Sequence, residues 1–140
     1  MNFDQFVAAL KRDEGLRLKP YLDSAVPPRR TIGYGRNLDD HGISIQEAHE
    51  LLVRDAIKAQ RVAAEIVPTW LRLSDVRQNV LANMAFNLGG GGLRKFKHLL
   101  AAIAVSDWNA AADAMIASAW YGQVGARAVR LATEMRSGVA

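Results

Sequence analysis

The first residues of the chain show the spacing of an amphipathic helix. Apolar side chains recur at positions i, i+3, i+4 and i+7, in Phe3, Phe6, Val7 and Leu10. Asn2 is a candidate N-cap, and Gln5 three residues later completes a pair that resembles a capping box. The pattern predicts a helix over residues 2–13 that ends near Gly15, because glycine is the usual residue in the left-handed turn after a helix.

A period of two replaces the helical spacing from Leu16 onwards. Leu16, Leu18 and Leu22 share one face, and Pro20 between them is compatible only with an edge strand. A second strand-like piece covers residues 31–34, and the intervening residues 24–30 form a turn or loop because they contain two consecutive prolines. Residues 16–35 are therefore expected to form a small antiparallel sheet.

The rest of the chain shows helical patterns. Residues 39–42 are expected to form a loop, and Ser44 and Glu47 form a capping box that begins a helix over residues 45–66, closed by Pro68. Ser74 is a candidate cap for a helix that ends at the four glycines of residues 89–92. Further helices are expected at about 93–104, 107–118 and 126–136. The fold class is therefore α+β.

The domain organisation follows from these elements. At 140 residues, half of them hydrophobic, the chain can bury one core or two small lobes that share a helix. We expect a single domain over residues 1–140, with a small β-lobe at about 13–44 and a long connecting helix at about 45–66. The larger helical lobe would cover about 67–140 and pack with the helix over residues 2–13.

The chain is basic and has no cysteine. Eighteen Lys and Arg residues against fourteen Asp and Glu residues give a formal net charge of +4, which favours an anionic partner such as nucleic acid, a membrane surface or the bacterial wall. The basic clusters are dispersed, which argues against a dedicated nucleic-acid groove. The absence of cysteine excludes disulfides, cysteine-based zinc sites and thiol nucleophiles.

Neither a leader nor a metal site is visible in the sequence. The apolar runs at residues 7–10 and 99–105 are too short for a signal peptide and a membrane span respectively, so we expect a cytoplasmic product without stable membrane insertion. His41, His49 and His98 lack the H-E-x-x-H arrangement, and we expect neither a metal nor another cofactor. Trp70, Trp108 and Trp120 are open to two interpretations, as core residues or as sugar platforms.

Two carboxyl groups near the start of the chain form a candidate acid pair. Glu14 lies at the predicted C-terminal end of the first helix, where the helix dipole disfavours a negative charge and so favours the protonated acid. Asp23, close in sequence to Arg29 and Arg30, more readily stays ionised. Such different surroundings are typical of an acid and its partner. The spacing alone nevertheless favours a simpler interpretation, a surface glutamate and a turn-forming aspartate.

Several motifs, in the same order along the chain, resemble the lysozymes of tailed bacteriophages (glycoside hydrolase family 24). Three of them are Asp13-Glu14-Gly15, Tyr21-Leu22-Asp23 and Thr31-Ile32-Gly33-Tyr34-Gly35. Others are Ala85-Phe86-Asn87-Leu88-Gly89, Trp108-Asn109-Ala110-Ala111 and Trp120-Tyr121-Gly122-Gln123, followed by Arg127. The resemblance implies a lysozyme-like fold, with Glu14, Asp23 and Thr31 as the catalytic residues.

The resemblance also implies the reaction and its setting. The expected activity is hydrolysis of the β-1,4 bond between N-acetylmuramic acid and N-acetylglucosamine in peptidoglycan, with inversion at the reacting carbon. Glu14 would protonate the glycosidic oxygen, while Asp23 and Thr31 would hold and activate the attacking water. The protein would act as a monomeric endolysin, stored in the host cytoplasm and released to the wall at lysis with the help of a holin.

The resemblance alone assigns roles to three further residues, Arg127, Asp13 and Phe86. Arg127 corresponds to an arginine that pairs with Asp13 and Glu14, although a solvated helix face is an equally good interpretation. Phe86 corresponds to a substrate-cleft position, and its alternative is a core aromatic. The chain departs from the family in its longer link between Asp23 and Thr31, and in Arg36, which stands where the family commonly has histidine.

Two other functions fit parts of the sequence. A lytic transglycosylase cleaves the same bond with a single acid and closes a 1,6-anhydro ring, but Asp23 and Thr31 argue against it. A catalytically silent cationic protein that binds the wall or perturbs membranes would explain the positive charge and the amphipathic helices.

Overall fold

A computed structural model describes residues 1–140 and confirms the α+β class. Two compact units, Met1–Glu50 and Leu51–Ala140, divide the chain. The first contains α1 (Phe3–Glu14), β1 (Arg17–Leu22), β2 (Arg30–Gly33), β3 (Arg36–Asn37), α2 (Leu38–His41) and the start of α3 (Ile45–Ile66). The second contains the rest of α3, a 3₁₀ turn (Trp70–Arg72), α4 (Asp75–Arg94), α5 (Lys97–Ala104), α6 (Trp108–Ile116), α7 (Ala119–Val124) and α8 (Ala126–Ser137).

The first helix begins and ends where its sequence signals predict. The Asn2 side-chain oxygen accepts a hydrogen bond from the backbone N–H of Gln5 at 3.1 Å. At the other end Gly15 adopts a φ of 68°, and its N–H donates to the carbonyl of Lys11 at 3.2 Å. Glu14 is consequently the last residue of α1, next to a closed helix end.

The sheet is antiparallel, in the order β1-β2-β3. Thr31 pairs with Tyr21 on one side and with Asn37 on the other, so β2 is the central strand. Pro20 lies on the edge strand, as expected for a residue without an N–H, and the pairing is irregular between Arg17 and Tyr21. The third strand was not predicted, because two residues are too few to show a period.

The prediction of a loop at residues 39–42 is wrong for most of that segment. Leu38–His41 form the single helical turn α2, closed by the N–H of Gly42, which donates to the carbonyl of Leu38 at 3.0 Å. Asn37 supplies the cap, since its side-chain oxygen accepts the N–H of Asp40 at 3.0 Å. Asp39 and Asp40 suit the positive end of this turn, a signal that the sequence reading passed over.

The capping box at the start of α3 forms as predicted. The backbone N–H of Ser44 donates to Glu47 Oε2 at 2.7 Å, and the N–H of Glu47 donates to Ser44 Oγ at 3.1 Å. The backbone N–H of Ser44 is the main cause that holds the pKa of the Glu47 carboxyl below its ordinary value, and the Ser44 hydroxyl and the Arg36 guanidinium add to it. The two bonds of the capping box fix the start of the long helix shortly after α2.

The helix predicted to end at residues 89–92 breaks at the first of these glycines, where α4 has a kink, but helical conformation resumes at once rather than at about residue 93. Ser74 caps α4 as expected, its Oγ accepting the N–H of Arg77 at 3.4 Å. Only Gly89 leaves the helical conformation, at φ 69° and ψ 169°, and the helix resumes through the other glycines to Arg94. Gly90 is confined by packing, because a Cβ there would lie 2.9 Å from Val62 Cγ1.

The second unit has a hydrophobic core to which α3 to α8 all contribute. Trp70 and Trp120 are buried in it, which supports their interpretation as core residues, and Trp108 is partly buried against it. The helix α7, which carries Trp120, was missed because its six residues are too few for a clear helical period. None of the helices combines the length and hydropathy needed to cross a membrane.

Candidate active site

Asp23 lies at the end of β1 and closes the loop that leads to β2. Its backbone N–H donates to the carbonyl of Arg29 at 3.0 Å. Its Oδ1 accepts the backbone N–H groups of Arg29 at 2.8 Å and of Ala25 at 3.1 Å. Asp23 therefore is a turn former, as the simpler interpretation held, but only one of its two carboxylate oxygens is used for the turn.

Thr31 brings a hydroxyl group to the second oxygen of Asp23. It occupies the central strand and is only 3% exposed. Its Oγ1 lies 3.4 Å from Asp23 Oδ2 and 3.2 Å from the carbonyl oxygen of Arg29, so its single proton is shared between two acceptors. Asp23 Oδ2 accepts no other hydrogen bond and keeps lone pairs free beside a buried hydroxyl.

The surroundings of Asp23 stabilise its ionised form. The N–H of Arg29 is the main cause, and it lowers the pKa of the Asp23 carboxyl below its ordinary value. Partial desolvation opposes this effect, while the N–H of Ala25, the Thr31 hydroxyl and the Arg29 guanidinium add to it. Asp23 is consequently a carboxylate across the neutral range.

Glu14 lies against the turn between β2 and β3. Gly35 in that turn has a φ of 73°, and a Cβ built on it would lie 2.6 Å from Glu14 Oε2. The Lys11 ammonium lies 5.6 Å from the centre of the Tyr34 ring, a second contact between the end of α1 and the turn. The exposed carboxyl of Glu14 thus approaches the backbone at a position where only glycine leaves room for it.

Gly35 is a site residue that the sequence reading missed. It belongs to the quoted segment Thr31-Ile32-Gly33-Tyr34-Gly35, but nothing in that segment indicates which side chain approaches it. The available signal was the glycine itself, since a glycine next to a strand often marks a close approach of the backbone to another group.

The contacts of the predicted supporting residues lie within the unit to which each residue belongs. Asp13 pairs with Arg12 at 3.5 Å in an exposed contact that contributes about 0–1 kcal/mol. Arg127 Nε donates to Asn83 Oδ1 at 2.7 Å, which joins α8 to α4. The pairing of Arg127 with Asp13 and Glu14 stays a prediction. Phe86 is 45% exposed and so is not a buried core aromatic, and its substrate contact also stays a prediction.

Arg36, which stands where histidine was expected, connects the sheet to the long helix. Its Nε donates to the carbonyl of Gly42 at 3.1 Å, and its terminal nitrogen lies 3.3 Å from Glu47 Oε2. The guanidinium thus stabilises the segment between β3 and α3. His41, His49 and His98 are all exposed, and no group of three or more acidic or histidine side chains is arranged to hold a metal ion.

These groups define what the arrangement can do chemically. Asp23 supplies a carboxylate that is fixed by two backbone N–H groups and whose second oxygen accepts only the Thr31 hydroxyl. Thr31 supplies a hydroxyl beside that oxygen, and together they can hold a water molecule by two hydrogen bonds. Glu14 supplies a second carboxyl group, on a helix end rather than on the sheet.

Comparisons with known proteins identify the family. The model of the family described as phage lysozyme matches residues 11–134. The chain is also similar to the pre-baseplate central spike protein Gp5 of Enterobacteria phage T4, with 34% identity over 148 aligned residues. That alignment covers 87% of this chain but 26% of the relative, so the chain spans about a quarter of the length of the protein it resembles.

Proposed function

The chain belongs to the phage lysozyme family and is a glycoside hydrolase-type enzyme, and we propose that it cleaves the β-1,4 bond between N-acetylmuramic acid and N-acetylglucosamine in peptidoglycan. The observation that carries the proposal is the pair formed by Asp23 and Thr31. A hydrolase needs a place for the attacking water, and the free oxygen of a fixed carboxylate beside a buried hydroxyl is such a place.

In the proposed reaction, Glu14 donates its proton to the glycosidic oxygen as the bond to the sugar C1 breaks. Water held by Asp23 Oδ2 and Thr31 Oγ1 then forms the new bond to C1, and Asp23 accepts the proton that the water loses. The lowered pKa of Asp23 makes it a weak base. It suffices because water that bonds to a positively charged sugar carbon becomes strongly acidic, and until then the carboxylate stabilises that positive charge.

We further propose inversion of the reacting carbon. Attack by a water held between the sugar and Asp23 places the new oxygen opposite the bond that breaks. This geometry requires carboxyl groups about 6.5–9.5 Å apart, whereas a retaining enzyme brings them to about 5–5.5 Å. Proton NMR of the first products, recorded before mutarotation, should show the α-anomer at the new reducing end, and an initial β-anomer would contradict inversion.

The bond and the reaction type are tested by mass spectrometry of digested peptidoglycan. The proposal predicts muropeptides with reducing N-acetylmuramic acid ends. Fragments with 1,6-anhydro ends would instead assign a lytic transglycosylase, and reducing N-acetylglucosamine ends would assign the other glycosidic bond. Digestion in ¹⁸O-labelled water should place the label at the new reducing carbon, with the Glu14→Gln variant as the control for contaminating activity.

The biological role has two candidates. As an endolysin the protein would be a monomer that lyses the host after a membrane pore opens, with glycan strands as its only macromolecular partner. Similarity to a central spike protein favours a second candidate, a lysozyme that belongs to the phage particle. Quantitative mass spectrometry of purified particles distinguishes them, because a particle component is present in fixed copy number and a lysis enzyme remains in the soluble lysate.

A further inference from the structure

We propose that Asp39, on the single-turn helix α2, is a positioning residue that holds Asp23 and Thr31 in their working geometry by clamping Arg30 at the start of β2. The inference rests on the proposed function for its catalytic consequence. Its structural part concerns the hydrogen bonds of Asp23 alone, and it can be tested without any activity.

Asp39 binds Arg30 through both of its carboxylate oxygens. Asp39 Oδ2 accepts the backbone N–H of Arg30 at 2.8 Å, and Oδ1 accepts its side-chain Nε at 2.8 Å. A terminal nitrogen of the same guanidinium lies 2.6 Å from Oδ1. The side chain of Asp39 is only 23% exposed, whereas that of Arg30 is 71% exposed. The contact therefore fixes the backbone of Arg30 as well as its side chain.

The clamp reaches Asp23 through one peptide unit. Arg29 and Arg30 are consecutive, and their two backbone N–H groups donate to two different carboxylates, that of Arg29 to Asp23 and that of Arg30 to Asp39. The carbonyl of Arg29 accepts from both the N–H of Asp23 and the hydroxyl of Thr31. A shift of Arg30 thus moves the strongest donor to Asp23 and an acceptor of Thr31 together.

The long link between Asp23 and Thr31 explains why such a clamp is needed. Additional residues add conformational entropy that the native state must overcome, and the loop contains two prolines that cannot donate ladder hydrogen bonds. Asp39 is placed by α2, which is closed by Asn37 at one end and Gly42 at the other. Arg29 makes a second, weaker contact with the same turn, 3.7 Å from Asp40.

The charges of the clamp persist across the neutral range. Hydrogen bonds from the Arg30 side chain and backbone lower the pKa of the Asp39 carboxyl, and Asp39 raises the pKa of the Arg30 guanidinium. The contact is therefore ionic under the conditions in which the enzyme would work.

The test replaces Asp39 and follows the carboxyl carbon of Asp23 by ¹³C NMR titration. In Asp39→Ala the hydrogen bond from Arg29 should loosen, so the pKa of Asp23 should rise towards the ordinary value of an aspartate. Turnover on peptidoglycan should fall by about 10- to 100-fold with KM unchanged, because a displaced water slows the chemical step and leaves glycan binding intact.

Two further variants separate the parts of the clamp. Asp39→Asn keeps an oxygen for the backbone N–H of Arg30 but removes the charge, so it should restore part of the lowered Asp23 pKa and part of the turnover. If Asp39→Ala does not fold, the Asp23 titration and the turnover of Asp39→Asn still test the clamp. Glu134→Ala is the matched control, because it breaks the 2.9 Å ion pair between Arg130 and Glu134 on α8. It should leave both readouts unchanged.

The outcomes distinguish this inference from the proposed function. An unchanged Asp23 titration in Asp39→Ala would overturn the clamp. A shifted titration with unchanged turnover would overturn its catalytic consequence, because the position that Asp39 gives to Asp23 would then not matter for the reaction. If the parent protein does not cleave peptidoglycan, the proposed function fails, while a shifted titration still establishes that Asp39 positions Asp23.

Discussion

Asp23 and Glu14 carry the same functional group in different surroundings. Two backbone N–H groups and a hydroxyl surround the Asp23 carboxylate and favour its charge. Glu14 instead ends a helix and lies against the backbone of Gly35. Two carboxyl groups with such different environments suit two roles, one as the charged partner of a water molecule and the other as a proton donor.

Removing the hydroxyl of Thr31 should impair catalysis more than folding. Thr31→Val keeps the branched shape in a buried position of the central strand, so the free energy of unfolding should change by no more than about 1 kcal/mol. Turnover should fall by about 100-fold, because the water loses one of its two hydrogen bonds. Enzyme kinetics and thermal unfolding measure the two effects.

The matched control is Thr133→Val on α8, where the hydroxyl donates to the carbonyl of Val129 at 3.0 Å and faces solvent. This variant should keep full turnover. If Thr31→Val were as active as Thr133→Val, Thr31 would have no part in the reaction.

A methyl group at Gly35 should displace Glu14. In Gly35→Ala the added Cβ would lie 2.6 Å from Glu14 Oε2, so the carboxyl must move. Turnover should fall at least about tenfold, since a donor displaced by an ångström no longer reaches the glycosidic oxygen. The positive φ adds a conformational cost of about 1–2 kcal/mol, visible as a lower Tm.

Gly125→Ala separates the two effects of that substitution. Gly125 also has a positive φ, of 65°, but a Cβ there meets nothing within 4 Å. It should lower the Tm and leave turnover unchanged. Equal turnover losses in the two variants would show that backbone strain, and not contact with Glu14, accounts for the effect.

The motifs indicate Glu14, Asp23 and Thr31, but not the groups that position them. Each of the three lies in a segment with a recognisable pattern. Gly35 and Asp39 act on them through contacts between residues far apart in sequence, 21 residues from Gly35 to Glu14 and 9 residues from Asp39 to Arg30. Such contacts depend on the register of the sheet, which no single segment specifies.

Among the elements, the helix starts were predictable because their signals are local. Asn2, Ser44 and Ser74 cap helices through bonds to residues three positions later, and each was found from sequence. The first glycine of residues 89–92 interrupts the helix as predicted, but the other three are helical, since packing of neighbouring helices overrides their weak helix propensity. The short helices α2 and α7 span too few residues to show a period.

Arg77 should stabilise the second unit by joining three of its helices. It lies on α4, and near the end of α8 its Nε donates to the carbonyl of Met135 and a terminal nitrogen to that of Arg136. Its guanidinium lies 4.0 Å from the ring centre of Trp108 on α6. Desolvation lowers the pKa of this guanidinium. Arg77→Ala should therefore reduce the free energy of unfolding by about 2 kcal/mol, measured by denaturant titration.

Arg54→Ala, which removes an exposed arginine from α3, is the control and should change stability by less than about 0.5 kcal/mol. A loss for Arg77→Ala as small as this would mean that the contacts of Arg77 are not stabilising.

For the whole molecule, the net charge of +4 should affect binding rather than the chemical step. Anionic polymers of the wall attract a basic protein, and salt screens this attraction beyond about 10 Å at 0.1 M. Raising the ionic strength should therefore increase KM and leave kcat unchanged. Peptidoglycan stripped of its anionic polymers is the control, and an equal salt effect on both substrates would contradict the charge argument.

The most direct test of the proposed mechanism is the turnover of Glu14→Gln on purified peptidoglycan. Glutamine keeps the size and exposure of the side chain but has no acidic proton, so the fold and the Tm should be unchanged. Turnover should fall by about 100- to 10,000-fold. If Glu14→Gln digests peptidoglycan at the parental rate, Glu14 is not the proton donor. If Glu14→Gln instead lyses permeabilised cells as fast as the parent without digesting the wall, the cationic, non-catalytic alternative is correct.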